Sequence, residues 1–92
     1  MNIARLDLNL LLSLDVLLNE CNVTNAAEIM GISQPAMSNS LRRLRKYFND
    51  PILIRTSGGM TPTPRALELK PIVRKTVSMA ELAMQPKEKF NP

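Results

Sequence analysis

Histidine and tryptophan are absent from this sequence, cysteine occurs once, glycine three times, and Tyr47, Phe48 and Phe90 are the only aromatics. Without histidine, and with Asp7, Asp15, Glu20 and Glu28 expected to be spread over helix surfaces, the protein can assemble neither a nucleophile–imidazole pair nor a cluster of metal-ligating side chains. It has no glycine-rich phosphate loop. Catalysis is thereby excluded, and no cofactor is expected. The single Cys21 forbids an internal disulfide, which fits a reducing cytoplasm; its expected role is a small, buried or half-buried residue at a helix end. Scarce aromatics leave a core of Leu, Ile, Val, Ala and Met, which suits packed helices better than a β-sandwich. The most apolar stretch, Leu8 to Leu18, has Asp7 before it and Asp15 inside it. It is too short to span a bilayer and unlike a signal peptide, so no membrane partner is expected.

What remains is aliphatic and unevenly charged. The 92 residues suit one domain with a modest core, for which oligomerisation is an extra source of stability. The net charge of +4 hides an asymmetry. Up to Leu41, Arg5 stands against Asp7, Asp15, Glu20 and Glu28, whereas from Arg42 to Lys75 basic residues far outnumber Asp50 and Glu68. Positive charge gathered in one stretch is the footprint of a polyanion binder, although a solvated basic face has the same composition.

Local signals give an order of elements. Asp7 is placed to cap a helix from Leu8 to Glu20 whose apolar surface extends beyond one face, as expected of a helix shared between its own core and a partner. Thr24 is expected to cap a short helix over Asn25–Met30, and Gly31 to end it in a left-handed conformation. Ser33 caps a third helix, with Pro35 in its first turn and an end near Phe48. Asn49-Asp50-Pro51 stops it. Ile52 to Arg55 and Met60 to Pro62, joined by Ser57-Gly58-Gly59, predict a hairpin. Thr63 and Pro64 open a fourth helix reaching about Met84, with a bend or local break at Pro71. The expected fold is mainly α: a winged helix-turn-helix of three helices and a two-stranded β wing, followed by a long linker helix.

The third helix points to function. At 100° per residue, Met37, Leu41, Leu44 and Phe48 share a face about 60° wide that must be core. Pro35, Ser38, Asn39, Arg42 and Lys46 fall opposite. A recognition helix inserts its N-terminal part into the major groove, where small and amide side chains approach base edges. Arg42, Arg43, Arg45 and Lys46 then lie near the flanking phosphates. Thr24 and Ser33, as caps, offer free N–H groups to phosphate oxygens. Arg55, near the hairpin tip, is placed to meet the minor groove or backbone. Capping explains Ser33 and Pro35 without any DNA. It does not explain a small polar face followed by four cations in five residues.

In the fourth helix, Ala66, Leu69, Val73, Thr76, Ala80 and Ala83 alternate three- and four-residue steps, as in a coiled-coil seam, or equally in an intramolecular core face. With the surplus apolar surface of Leu8 and Leu12 on the first helix, the expectation is a homodimer.

The run Gly31-Ile32-Ser33-Gln34-Pro35-Ala36-Met37-Ser38, with Thr24, Ala26-Ala27, Leu41 and Leu44, resembles the N-terminal domain of LysR-type transcriptional regulators. Phe48-Asn49-Asp50-Pro51, Arg55 and Pro62-Thr63-Pro64-Arg65-Ala66 extend the match over nearly the whole chain, in the branch of nodulation and aromatic-catabolism regulators. The resemblance implies a winged helix-turn-helix over 6–63 (helix-turn-helix 23–42, wing 52–62), a dimerising linker helix over 64–85 and a hinge stub over 86–92. It implies base contacts at Gln34, Pro35, Ser38 and Asn39, and a wing contact at Arg55. It further implies a dimer through the linker and first helices, a tetramer when full length, and binding to an interrupted palindrome in double-stranded DNA. Many members have Leu-Glu in place of Leu44-Arg45 and arginine in place of Asn39. The first difference implies stronger phosphate contacts here, and the second a base preference shifted toward adenine. The family's effector domain is not in this chain. A cytoplasmic, nucleoid-associated bacterial regulator is therefore expected, with a small-molecule inducer acting only through that missing part. A non-specific architectural DNA binder is the alternative, which would use basic arms or apolar wedges rather than a small polar face.

Overall fold

The computed structural model describes residues 7–86. Leu6 and most of the expected hinge stub, 87–92, lie outside the described residues. The elements are four helices, α1 (Leu8–Glu20), α2 (Val23–Met30), α3 (Gln34–Phe48) and α4 (Pro64–Met84), with a hairpin of β1 (Leu53–Thr56) and β2 (Gly59–Pro62) between α3 and α4 in the chain. The fold is the mainly helical winged helix-turn-helix with a trailing helix that the residue pattern predicts.

Each of the first three helices ends on a left-handed residue: Cys21 (φ 51°), Gly31 (φ 68°) and Asn49 (φ 52°). Gly31 adopts that backbone at no steric cost. Its end is closed by the Ile32 N–H donating to the Ala27 carbonyl at 3.0 Å, the six-residue loop of a helix C-terminus. Asn49 repeats the arrangement, with the Asp50 N–H donating to the Arg45 carbonyl at 3.1 Å. Cys21 closes α1, and its thiol donates to the Leu18 carbonyl. It is a half-buried residue at a helix end, as expected.

One expected cap moves. Asn22, not Thr24, caps α2, its side-chain oxygen accepting from the Asn25 N–H at 2.8 Å. The helix starts two residues early because the left-handed Cys21 turns the chain at once, leaving Asn22 extended (φ −158°, ψ 119°), the backbone an N-cap requires. Thr24 lies inside the first turn.

Leu14, Leu17, Met37, Ile52, Leu53 and Ala66 have no exposed surface, and Leu18, Leu41, Leu44, Val73 and Val77 almost none. Each of these side chains larger than alanine contributes about 1.5–3 kcal/mol by leaving water. The strands pair antiparallel, Leu53 with Pro62 and Thr56 with Gly59, so Ser57-Gly58 forms the two-residue loop. Ile52 is not in the strand. It sits at φ 67° with its side chain fully buried, a strained backbone for a β-branched residue.

That strain is held by Asp50 and Arg45. The Asp50 carboxylate accepts from the Ile52 N–H at 2.8 Å and from the Thr63 hydroxyl at 2.6 Å. Thr63 in turn caps α4 by accepting the Ala66 N–H at 3.0 Å. The Arg45 guanidinium donates to the carbonyls of Pro51 (2.7 Å) and Leu53 (2.8 Å). The end of α3, the entry to the wing and the start of α4 are thus tied through one carboxylate and one guanidinium.

The linker helix runs unbroken from Pro64 to Met84, so the local break expected at Pro71 does not occur. Pro71 points to solvent, while Ala66, Val73 and Val77 to either side are buried and join the same core cluster as Leu14, Leu17 and Leu18 of α1. This contact also corrects the expected seam. Ala66 and Val73 are buried within the chain's own core and are not available to a partner. The exposed stripe is rotated away from them: Leu69, Ile72, Thr76, Met79 and Ala83 again alternate three- and four-residue steps, with Leu69 half-buried and the others exposed. Leu69, Thr76 and Ala83 belong to both stripes, and Ala80 lies beside the exposed one. Leu8 is 60% exposed and Leu12 half-buried on α1.

Asp15, expected on a helix surface, is buried instead. It meets the Arg74 guanidinium at 3.2 Å and the Asn19 amide at 3.4 Å. Burial pushes its carboxyl above the ordinary carboxylate value, and Arg74 pulls it partly back.

Acid should unfold the protein partly through Asp50. The hydroxyl of Thr63 and then the N–H of Ile52 hold this carboxyl below its ordinary value of 3.8. As pH falls past that value, the unfolded chain takes up its proton first, so the stabilisation is present above it and lost as pH falls through the folded value. Asp50→Asn should therefore be less stable near neutrality and lose less stability on acidification, as read by urea unfolding at about pH 7 and about pH 3. An unchanged acid dependence would remove Asp50 from this role.

Candidate nucleic-acid interface

The outward face of α3 is set by what its inward face buries. Met37, Leu41 and Leu44 are 0%, 4% and 2% exposed. Gln34, Pro35, Ser38, Asn39, Arg42 and Lys46 are all exposed. Ser33 caps the helix with its hydroxyl oxygen, accepting from the Ala36 N–H at 3.2 Å. Pro35 falls in the first turn, where a missing N–H breaks no intrahelical bond. Small and amide side chains therefore occupy the exposed N-terminal end, and cations the C-terminal half, where the helix dipole favours them.

The cations have separate fates. Arg42 donates to the Asn39 side-chain oxygen one turn back, so the two form a unit on the outward face. The contact takes one lone pair of the carboxamide oxygen and none of its N–H₂ donors. Arg43 reaches 2.9 Å to Asp7, the cap of α1. The Leu10 N–H and then Arg43 hold the Asp7 carboxyl below the usual carboxylate range, although an exposed pair of this kind adds little stability. Arg45 is turned to the carbonyls of the wing entry. Lys46 stays exposed on the outward face.

Residues far apart in sequence meet beside α3. A cleft of about 520 Å³ is lined by Asn22, Thr24 and Asn25 from the start of α2, Gln34 from α3, and Arg55 and Gly58 from the wing, among others. Thr24, Gln34 and Arg55 were expected in the site separately; the fold brings them together. Asn22 and Asn25 were missed. Two asparagines bracketing Thr24 are a recognisable capping signal, but the left-handed Cys21 that selects Asn22 carries none. The N–H groups of Val23 and Thr24, in the first turn of α2, have no intrahelical acceptor, and both residues line the cleft together with Arg55. Backbone N–H groups, amides and a guanidinium around one concavity suit a phosphate oxygen. Among the described residues no group of His, Cys, Asp or Glu could hold a metal ion, and no helix is long and apolar enough to cross a membrane.

A helix-turn-helix with its polar face outward, a two-stranded wing alongside and a projecting linker helix define the winged helix-turn-helix class. Residues 8–67 match the model of the bacterial regulatory helix-turn-helix protein, lysR family. The chain is 46% identical over 87 residues to Nodulation protein D 3 of Rhizobium leguminosarum bv. phaseoli, covering 95% of this chain and 29% of that protein. It is similar in structure to the probable transcriptional regulator PA0477 from Pseudomonas aeruginosa, with a TM-score of 0.86 and 37% identity over 98% of this chain and 30% of the other. It is also similar to Vibrio fischeri DarR, whose structure is a complex with DNA, with a TM-score of 0.75 and 26% identity over 91% of this chain and 28% of that one. The chain belongs to the LysR family of bacterial regulatory helix-turn-helix proteins, and it spans under a third of the length of these relatives.

Proposed function

We propose that this chain is the part of a LysR-type transcriptional regulator that binds double-stranded DNA sequence-specifically, with α3 in the major groove and the wing in or beside the minor groove. The observation that carries this reading is the division of α3: an apolar face buried at Met37, Leu41 and Leu44 and half-buried at Phe48, and a small polar face exposed at its N-terminal end. Gln34, Pro35, Ser38 and Asn39 face the bases. Asn39, oriented by Arg42, keeps its amide donors and a second lone pair on its oxygen, so it can pair with adenine through both amide atoms while Arg42 holds it in place. Thr24, Ser33, Arg42, Lys46 and Arg55 form the phosphate-facing set, joined by the amides at the start of α2. Arg43 contributes at the flank while paired with Asp7. Arg45 is directed at the wing entry, so its part in DNA binding is to hold the wing.

The dimer on an interrupted palindrome rests on α4. Its exposed stripe of Leu69, Ile72, Thr76, Met79 and Ala83 is a strip of apolar and small residues projecting beyond the body, and Leu8 and Leu12 add apolar surface on α1. A second copy covering that strip removes an exposed apolar face from water and sets two recognition helices on one duplex, as dimeric readers do. In a longer protein the inducer acts through a further domain, two dimers form a tetramer, and the regulator works in the bacterial cytoplasm on the nucleoid.

Replacing Ser38 with Ala should cost about 1–3 kcal/mol on a selected operator and little on random DNA, measured by fluorescence anisotropy. Equal losses on both would favour the architectural alternative. Arg42→Ala should reduce the slope of log affinity against log salt by about one, while Arg45→Ala leaves the slope unchanged. The reverse pattern would exchange their roles. Ile72→Glu should halve the mass seen by sedimentation while the domain stays folded. Val73→Glu should unfold it instead, because Val73 is core. A dimer that survives Ile72→Glu would place the interface elsewhere.

A further inference from the structure

The interface between α1 and α4 is apolar except for one directional contact. Asp15, 5% exposed in the middle of α1, meets Nη1 of Arg74 at 3.2 Å, and Nη2 of the same guanidinium reaches Glu81 at 3.6 Å. The Arg74 Nε is buried with no hydrogen-bond partner. Such a pair is a poor source of stability. Burial outweighs Arg74 at the Asp15 carboxyl, and an apolar pair of similar volume would commonly serve folding as well or better. What the pair supplies is geometry. Apolar contacts among Leu14, Leu17, Val73 and Val77 carry no directional preference of their own. A carboxylate held between two helices does carry one.

We infer that Asp15 and Arg74 are positioning residues that set the angle between the winged helix-turn-helix and the linker helix, and through it the half-site spacing that a dimer accepts. The inference rests on the dimeric reading above. The lever is long. A tilt of about 10° over the roughly 30 Å of the 21-residue α4 moves its far end by about 5 Å, more than the roughly 3.4 Å rise of one base pair. Neither residue touches DNA, so the preferred half-site sequence stays the same when the pin is removed.

The test is selection from a pool of random-sequence duplexes, long enough for two half-sites, by the wild-type chain and by Asp15→Asn/Arg74→Gln, which removes both charges and little volume. The expected result is one half-site sequence for both proteins, a single dominant spacing for wild type, and a ratio of best to next spacing lower by about fivefold or more in the variant, the low end of coupling between distant sites. The same sharp spacing in the folded variant overturns the inference and leaves DNA reading intact. A wild-type pool without paired half-sites overturns the dimeric reading and this inference together. If the double variant does not fold, Asp15→Leu/Arg74→Met carries the test, because an apolar pair of similar volume removes the directional contact and suits the interior. Pulsed electron-spin distances between protomers labelled at Glu28→Cys, in a Cys21→Ser background, give a second readout. They should broaden on loss of the pair, and an unchanged narrow distance overturns the inference.

Discussion

Burial of Met37, Leu41 and Leu44 is the constraint on which the rest of the protein depends. These three side chains lie on one stripe of α3 and fill the space left by Leu14, Leu17 and Leu18 of α1 and by Ala26 and Ala27 of α2. Two alanines on α2 let the helices approach closely, and Gly31 turns the chain between them. Once that face is inside, every residue on the other side of α3 is displayed at a fixed angle. A reading face needs no further device than a core that holds the helix from behind.

A second hub carries that rigidity to the rest of the chain. The Asp50 carboxylate joins the wing entry to the cap of α4, and Arg45 anchors the same segment through two carbonyls. A left-handed isoleucine is tolerated there because its side chain is buried and its N–H is bonded. The wing entry and the first turn of the linker are therefore tied to the end of α3.

Much of this was legible in the sequence because the signals are local. Asp7, Ser33 and Thr63 each cap the helix that their spacing predicts, and Gly31 ends α2 as a left-handed residue. The division of α3 into apolar and polar sides follows from its period alone. The misreadings share one physical origin. Thr24 gave way to Asn22 because a cysteine adopted a left-handed backbone, which no propensity announces. Arg45 is no misreading of this kind: its charge is visible in the sequence, whereas the two carbonyls it also meets are not.

The linker helix separates the two kinds of information most sharply. Its existence, length and capping were set by Thr63, Pro64 and the run that follows, since hydrogen bonds within a helix depend on neighbours in sequence. Its rotation was not. The helix is apolar on more than one side, so two stripes with the same three- and four-residue steps competed for the interior. Only packing against α1 decided between them, burying Val73 and Val77 and leaving Ile72 and Met79 outside. The same packing drew Asp15 inward to Arg74, turning an acid that read as a surface residue into a buried contact between helices. Sequence by itself determined which segments are helical and which face of α3 is polar, because those depend on local period and capping. Tertiary structure alone decided which charges are free, which are held, and which side of α4 remains for a partner, because those depend on what lies across a gap the chain crosses only when folded.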